Sequence, residues 1–343
     1  MLGAAPAVPP ATAGIVRRPR LAVLPSLELA GLLCLLLLPL RLDDFGLAFV
    51  TRAMILALLA LSFDLVWGYA GILSFGQALF FGAGAYAVAL MGRDLGWAQA
   101  IVTLPLAALA GGVLALLLAW FLLLGRRPPS VIFVSLGTLT GSYAAERLVN
   151  ASAYLGGRNG ISGIPVLLAG GFEFVEGMPF YWLALGVLAA AYLASCFVVR
   201  SQLGLVLAGV RDEERRLLFL GYQVPLFKAL IFTFAGLVAG LAGGLYVYHE
   251  GYAGPVSLGM QLSTQAVLYT LLGGTGTLLG AVLGAFAIET LSLFLSDASP
   301  RFWPVMLGLL LLAVIVFQRT GILGLVVPER ERVGRFGRLP GRG

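Results

Sequence analysis

The sequence of 343 residues contains few charged side chains. Asp, Glu, Lys and Arg together make up 11% of the chain, whereas 60% of its residues are hydrophobic. Soluble domains are usually about half apolar and about a quarter charged. This composition excludes an ordinary water-soluble surface and indicates a membrane protein.

Lysine and histidine occur once each, as Lys228 and His249. A phosphate-binding P-loop needs Gly-Lys followed by Ser or Thr, whereas Lys228 is followed by Ala229. A single histidine excludes the HExxH motif and multi-histidine metal sites. The Gly-x-Ser-x-Gly motif of serine hydrolases does not occur either. We therefore expect neither enzyme activity nor a metal or cofactor in this chain.

Cysteine occurs twice, as Cys34 and Cys196, and both lie inside apolar runs. Their spacing does not fit a disulfide framework or a metal site. We expect both to be small residues buried among apolar neighbours.

Long apolar runs fill most of the chain and predict an all-α fold. We expect a polytopic transmembrane helical bundle of about 8–10 spans, beginning at about residue 21 and ending at about residue 317. Glycine and polar residues shorten or break the segments 68–92 and 250–296. Broken helices are tolerated in a membrane only where they pack against protein or line a polar cavity. These two segments are therefore the first places to look for a transport pathway.

The basic residues predict the orientation of the chain. If the N-terminus is cytoplasmic and each of ten segments crosses, 16 of the 22 Lys and Arg residues are cytoplasmic and the other 6 are outside. By the positive-inside rule, both termini are then cytoplasmic. The chain divides into a cytoplasmic tail 1–20, a membrane domain 21–325 and an Arg-rich cytoplasmic tail 326–343. Because the basic residues flank apolar runs, the net charge of +6 does not indicate nucleic acid as a partner.

Six consecutive charged residues, RDEERR, occupy positions 211–216 in the largest predicted cytoplasmic loop. Apolar residues at helical spacing precede them: Leu203, Val206, Leu207 and Val210. This pattern predicts a cytoplasmic helix over about 201–222 whose charges pair with a partner. The alternative is a solvated loop whose charges only mark the topology.

Three acidic residues lie inside apolar runs, where an ionisable group is costly. Asp64 and Glu146 lie near the ends of their runs, so we expect them to reach the interface or to pair there. Glu289 is deeper in its segment and must face protein or water. For Glu289, a hydrogen bond between helices and a role in the pathway are both open.

Three stretches together carry a family resemblance. They are WGYAGILSFGQALFFGAGAYAVAL (67–90), GGRNGISGIP (156–165) and the block 200–285, which contains RSQLGLVLAGVRDEERRLLFLGY and LLGGTGTLLGAVLGA. The chain resembles, over about 45–325, the inner-membrane permeases of branched-chain amino acid ABC importers, of the second-permease type. Permeases for urea and short amides are related. At positions 215 and 216 this chain has arginine, whereas the family commonly has small or apolar residues there.

The resemblance implies a permease that works in a bacterial inner membrane with several partners. These are a homologous second permease in a heterodimer, two cytoplasmic ATP-binding subunits that hold ATP and Mg, and a periplasmic substrate-binding protein, in addition to membrane lipid. It also implies that 201–222 is the coupling helix of the permease domain. The residues expected to couple to the ATPase are Gly204, Arg211, Asp212, Glu213, Glu214 and Gly221.

Polar groups in the two broken segments are the candidates for the substrate pathway or its gate. They are Ser74, Gln77, Gly273, Gly274, Thr275 and Glu289. The alternative for the glycines is close helix packing.

The function expected from the residues and the resemblance is import of branched-chain or other small amino acids. Import of urea or short amides is the closest alternative. A secondary transporter driven by an ion gradient would need a coupling-ion site near the membrane midplane, for which only Asp64 and Glu289 are candidates. A membrane scaffold without transport is a third possibility.

Overall fold

The computed structural model describes residues 23–124, 131–298 and seven positions between 305 and 323, namely 305, 308, 309, 312 and 321–323. Within these ranges the chain forms ten α-helices. They are α1 (Val23–Leu37), α2 (Asp44–Asp64), α3 (Gln77–Leu95), α4 (Ala100–Leu122), α5 (Val131–Ala151), α6 (Met178–Arg200), α7 (Gln202–Phe219), α8 (Val224–Glu250), α9 (Met260–Gly273) and α10 (Leu278–Ala298).

Short turns and strands connect the helices. A π-helical turn, Leu65–Tyr69, extends α2, and a 3-10 turn, Pro255–Leu258, precedes α9. Further 3-10 turns are Leu38–Leu40, Ala153–Leu155 and Gly157–Asn159. The strands are β1 (Ile161–Ser162), β2 (Leu167–Ala169), β3 (Phe172–Phe174) and β4 (Tyr252–Ala253). β1 pairs antiparallel with β4, and β2 pairs antiparallel with β3.

Six helices in the described part are long and apolar enough to cross a membrane. They are α2 with its π turn, α3, α4, α6, α8 and α10. The predicted polytopic helical bundle is confirmed. Six is fewer than the 8–10 spans expected, because α1 is only 15 residues long and α9 only 14, and because α5, although 21 residues long, contains more polar residues than the other long helices. Most of the predicted last run, and both predicted tails, 1–20 and 326–343, lie outside the described residues.

Helix α2 is the centre of the bundle. Every residue from Ala53 to Val66 is buried, and the flanking helices α3, α6, α8, α9 and α10 all contact α2. A helix that is apolar on all sides is stable only when it is surrounded by other apolar elements. The composition of α2 therefore places it inside the protein rather than against lipid.

Helices α3, α4 and α8 approach each other closely through glycine. A Cβ atom on Gly84 of α3 would overlap the backbone of Gly240 in α8, and a Cβ on Gly240 would lie 2.9 Å from Cα of Gly111 in α4. Small residues allow such backbone contacts between transmembrane helices, where van der Waals packing drives association. Gly240 is thus the point at which three helices meet.

The outward surface is apolar, as expected of a protein in lipid. Ile101, Phe121 and Phe197 are 84%, 79% and 77% exposed. Cys34 also faces outward and Cys196 is only partly buried, so the expectation that both cysteines are buried was wrong. An apolar run contains lipid-facing as well as core positions, and composition does not separate them.

The two ends of the bundle differ. At one end, called the loop end, residues 152–177 form the short strands, and the β1–β4 pair ties them to the connection after α8. At this end Arg93 donates to the carbonyl of Tyr154 at 2.6 Å, and the Tyr154 hydroxyl donates to Asp94 at 2.5 Å. At the other end, called the α7 end, α7 lies between α6 and α8.

Replacing Gly240 with Ala should lower the melting temperature of the purified chain. The added methyl meets the backbone of Ala107 and Gly111, and overpacking costs about 1–3 kcal/mol. The matched control is Gly186→Ala in α6, where an added Cβ has no neighbour within 4 Å. Alanine is the better helix former by up to about 1 kcal/mol, so this control should melt at the same or a higher temperature. Equal melting temperatures for the two variants would contradict the close packing.

Candidate functional site

The first helix break covers residues 70–76, between the π turn and α3. Its backbone is not helical, and its polar groups are satisfied by side-chain hydroxyls from neighbouring helices. The Phe75 amide donates to Thr138 at 3.0 Å, and the Phe75 carbonyl accepts from Ser142 at 3.0 Å and from Ser263 at 2.7 Å. The Leu73 carbonyl accepts from Ser135 at 2.8 Å. Residues of α5 and α9 therefore replace the hydrogen bonds that a continuous helix would make.

Ser74 lies in this break and Gln77 is the first residue of α3; both are fully buried. The Ser74 hydroxyl accepts from the Gly76 amide at 3.1 Å, and the Gln77 side-chain oxygen lies 3.2 Å from the hydroxyl of Ser62 in α2. The Gln77 side-chain nitrogen has no hydrogen-bond partner in the structure. These two predicted pathway residues are thus close to each other, but protein covers them in this conformation.

The second helix break lies between α9 and α10, at residues 274–277. Gly274 and Gly276 have positive φ angles of 117° and 76°, which only glycine adopts readily. The Thr277 hydroxyl donates to the Gly274 carbonyl at 2.6 Å and closes the turn. Of the predicted pathway residues here, Gly273 and Gly274 are buried and Thr275 is exposed.

Asp64 connects the second break to the end of α2. Its side chain is fully buried, and Oδ1 accepts from the Gly276 amide at 2.7 Å. A Cβ on Gly68 would lie 2.5 Å from the Gly276 nitrogen, so the two backbones touch. The expectation that Asp64 reaches or pairs at the interface was wrong, because its helix continues as the π turn and the carboxylate faces a turn from the other half of the chain.

Glu289 forms a hydrogen bond between helices, which was one of the two roles expected for it. Its Oε1 accepts from the hydroxyl of Tyr269 in α9 at 2.5 Å, which joins α9 to α10. Glu146 lies beside the loop before α9, since a Cβ on Gly259 would be 3.1 Å from its Oε2. Glu289 and Asp64 both bind α9 or its following turn, and neither contacts Ser74 or Gln77 through any hydrogen bond described here.

Helix α7 begins where the sequence predicts and is bent in the middle. The Ser201 hydroxyl accepts from the Leu203 amide at 3.2 Å and caps the helix. Gly204 packs against the backbone of Val199 at the corner with α6, and Gly221 has a φ of 85° in the turn that follows the helix. Glu213 has φ −157° and ψ 80°, so the helix is interrupted there.

The charges of 211–216 point in different directions. Nη1 of Arg211 donates to the Gly68 carbonyl at 2.7 Å, inside the bundle. Glu214 accepts from Nζ of Lys228 at 2.7 Å, which ties the second half of α7 to α8. Asp212 and Glu213 are exposed. Of the residues predicted to couple to an ATPase, therefore, only Asp212, Glu213 and the turn at Gly221 face outward.

A small cavity lies at the α7 end beside the second break. Its volume is about 20 Å³, enough for one water molecule, and Glu28, Tyr69, Tyr192 and Thr277 are among its lining residues. Tyr192 donates to Glu28 at 2.8 Å across this cavity. The described residues contain no group of three or more His, Cys, Asp or Glu side chains that could hold a metal ion.

Sequence reasoning missed the hydroxyls that hold the first break. Ser135, Thr138 and Ser142 are spaced by three and four residues in α5, which places them on one helix face. That spacing was a usable signal for a polar stripe in an apolar helix. The sequence carried no such signal for Ser263, whose partner Phe75 is 188 residues away.

Comparison with known proteins assigns the family. Residues 46–315 match the family described as the permease component of branched-chain amino acid transport systems. The chain belongs to this family. No solved structure gives a significant match to the chain.

Similar proteins are permeases of several import systems. The chain is 27% identical over 305 residues to LivM of Salmonella typhimurium, a permease of high-affinity branched-chain amino acid transport, covering 81% of this chain and 70% of that protein. It is 26% identical to BraD of Pseudomonas aeruginosa, covering 81% of this chain and 93% of that protein. It is also 32% identical over 239 residues to the autoinducer 2 import permease LsrC of Klebsiella pneumoniae, covering 66% of this chain and 65% of that protein.

The chain is therefore the permease component of an ABC transporter and a multi-pass protein of the inner membrane, and it is not an enzyme. The two helix breaks and α7 carry several of the polar contacts inside the bundle.

Replacing Ser263 with Ala should destabilise the chain by about 1–3 kcal/mol, because the Phe75 carbonyl loses a hydrogen bond and the Ala78 amide is left without its partner. The melting temperature of the purified chain measures this effect. The control is Thr264→Val at the next position, where the hydroxyl bonds only the Met260 carbonyl of its own helix. If both variants melt alike, the hydroxyl of Ser263 does not support the break.

Proposed function

We propose that this chain is the transmembrane subunit that moves branched-chain or other small amino acids across the inner membrane. Its partners in this proposal are a homologous second permease, two ATP-binding subunits that bind ATP and Mg, and a periplasmic substrate-binding protein. The LivM and BraD relatives support the substrate class, because both are permeases of branched-chain amino acid transport and both align over 81% of this chain.

The outer surface of α7 carries the ATPase in this proposal. Phe219 is 91% exposed and Leu220 is 68% exposed, six and seven residues after the outward-facing Glu213. An exposed aromatic residue beside charged residues is typical of the anchor of a protein interface. We define the docking surface of α7 as Asp212, Glu213, Phe219 and Leu220.

The contacts of α7 within the chain make it suitable for transmitting force. Arg211 holds its first half to the end of α2, and the Glu214–Lys228 ion pair holds its second half to α8. A partner that pulls on the docking surface therefore acts on two central helices. This arrangement is the observation that best supports a coupling role for 201–222.

The pathway in this proposal opens only when the bundle changes conformation. Ser74 and Gln77 are buried, and the cavity beside the second break holds no more than one water molecule. A groove on the outer face of α10, lined by Phe286, Ala287, Thr290, Leu291 and Phe294, is open. These residues lie on both sides of Glu289 in the sequence of α10, and we place the second permease against this face.

The LsrC relatives favour a second candidate substrate. The 32% identity of the Klebsiella pneumoniae LsrC over 239 residues exceeds the 27% of LivM, although it covers less of the chain. Import of a small polar signalling molecule of the autoinducer 2 type is therefore the second candidate, and urea or short amides remain a third. The same bundle serves all three, because a separate binding protein selects the substrate in the proposed system.

Uptake by the bacterium that carries this chain tests the proposal. Deleting the chain should abolish high-affinity uptake of radiolabelled leucine, isoleucine or valine, while uptake of urea and autoinducer 2 continues. Replacing the P-loop lysine of the partner ATPase should have the same effect, because this chain has no P-loop of its own. Uptake that survives loss of the ATPase but stops when the proton gradient collapses would instead show a secondary transporter.

Replacing Phe219 with Ala should weaken binding of the partner ATPase by about tenfold or more, since truncation of an anchor residue typically costs at least 2 kcal/mol. The double variant Asp212→Ala, Glu213→Ala should weaken binding less, because exposed charges contribute little each. Co-purification at increasing salt measures both effects.

The matched control is Phe197→Ala on the outer face of α6. Phe197 is also highly exposed, at 77%, but it lies within a membrane-spanning helix. This variant should retain the ATPase fully. If Phe219→Ala also retains it, the docking surface is placed wrongly and Phe219 contacts lipid instead.

A further inference from the structure

Arg211 lies where α7 meets the π turn after α2, the start of the first break and the turn of the second break. Its Nη1 donates to the Gly68 carbonyl at 2.7 Å. A Cβ on Gly71 would lie 3.1 Å from its Cγ, and a Cβ on Gly276 would lie 3.4 Å from its Nη1. The guanidinium therefore sits between the start of the first break and the turn of the second.

Asp64 is the second side chain at this junction between the π turn and the second break. Its buried carboxylate holds the Gly276 amide at 2.7 Å, one turn before the Gly68 carbonyl that Arg211 binds. A hydrogen bond to a charged group is stronger than one between neutral groups, and it gains further when it is shielded from water. Two ionisable side chains thus fix the Gly68–Gly276 contact, one from α2 and one from α7.

We propose that Arg211 is a positioning residue that transmits the movement of α7 to both helix breaks, acting together with Asp64. This inference rests on the proposed coupling role of α7. The inward direction of Arg211 sets it apart from Asp212 and Glu213, which face the proposed partner. In this arrangement the docking surface receives the force, and the Arg211 contact passes it to the segments that hold Ser74, Gln77 and Gly274.

The geometry favours arginine over lysine at this position. A guanidinium presents several donors in a planar fork, so Nη1 binds the Gly68 carbonyl beside Gly276 while Nε lies 3.7 Å from the Asp212 carboxylate. A lysine carries one compact ammonium group on a more flexible chain. Arg211→Lys should therefore keep the charge and part of the contact, whereas Arg211→Gln should lose most of it.

Hydrogen exchange tests the contact without any partner. The full-length chain in lipid nanodiscs is compared with Arg211→Gln by mass spectrometry of peptides that cover 270–280. Exchange at this turn should become about tenfold faster or more in Arg211→Gln, because the charge-assisted bond to the Gly68 carbonyl, which holds the π turn against this turn, is lost. Arg211→Lys should fall between the two, and it replaces the glutamine variant if that variant does not fold.

The control for this measurement is Arg41→Gln. Arg41 is exposed in the turn between α1 and α2, far along the chain from the junction. Its variant should exchange at 270–280 as the unmodified chain does. Unchanged exchange in Arg211→Gln and Arg211→Lys would overturn the proposed contact, whatever the partner of α7 proves to be.

The assembled transporter tests the transmission itself. With Arg211→Gln the ATPase should remain bound and hydrolyse ATP, while the ATP used per molecule of imported leucine rises about tenfold or more. Asp64→Asn should act in the same direction, and Arg211→Lys should recover part of the uptake. Normal uptake in Arg211→Gln would refute the proposal that Arg211 transmits the movement of α7. Loss of the bound ATPase would show instead that Arg211 takes part in docking.

The two experiments fail in distinguishable ways. If α7 does not couple to an ATPase, the hydrogen-exchange result still holds and only the transport result fails. If the Arg211 contact is wrong, exchange is unchanged even when Phe219→Ala releases the ATPase as expected.

Discussion

A backbone amide or carbonyl cannot be left without a partner inside a membrane, and this constraint governs the whole bundle. Where the helices are continuous, they satisfy it themselves. At residues 70–76 the backbone leaves the helix, and hydroxyls from α5 and α9 take over at Leu73 and Phe75. At the second break a carboxylate does the same for Gly276. The polar residues of this apolar chain are therefore concentrated where helices stop, and those places are the ones that transport proteins use for substrate.

The sequence predicted where the helices break but not what holds the breaks. Glycine and polar residues within an apolar run are a local signal, so the interruptions at 70–76 and 274–277 fall inside the two segments expected. The partners are distant in sequence and no local pattern announces them. Asp64 shows the limit most clearly: it lies near the end of its run and was expected at the interface, yet it binds Gly276, 212 residues later. Only the packing of α2 at the centre of the bundle explains that burial.

The cluster 211–216 was predicted as one unit, and in the structure its residues differ in their contacts and exposure. Hydrophobic spacing correctly indicated a helix over most of 201–222, but it could not indicate the interruption at Glu213. Arg211, before the interruption, binds the Gly68 carbonyl, Asp212 and Glu213 are exposed, and Glu214, after it, reaches α8. The direction in which each side chain points depends on the kink and on the neighbouring helices. A pattern of residue types along the sequence does not contain that information.

Lys228 gives this protein an unusual chemical property. It is the only lysine in the chain, and its side chain is 11% exposed and paired with Glu214. An amine that is ion-paired and covered in this way reacts poorly with acylating reagents, so amine-directed labels find no reactive side chain on the bundle. A single lysine introduced on the outer surface of α7 would consequently be a unique handle. A dye or crosslinker attached there would report on one side chain, with the α-amino group of the chain as the other amine to block beforehand.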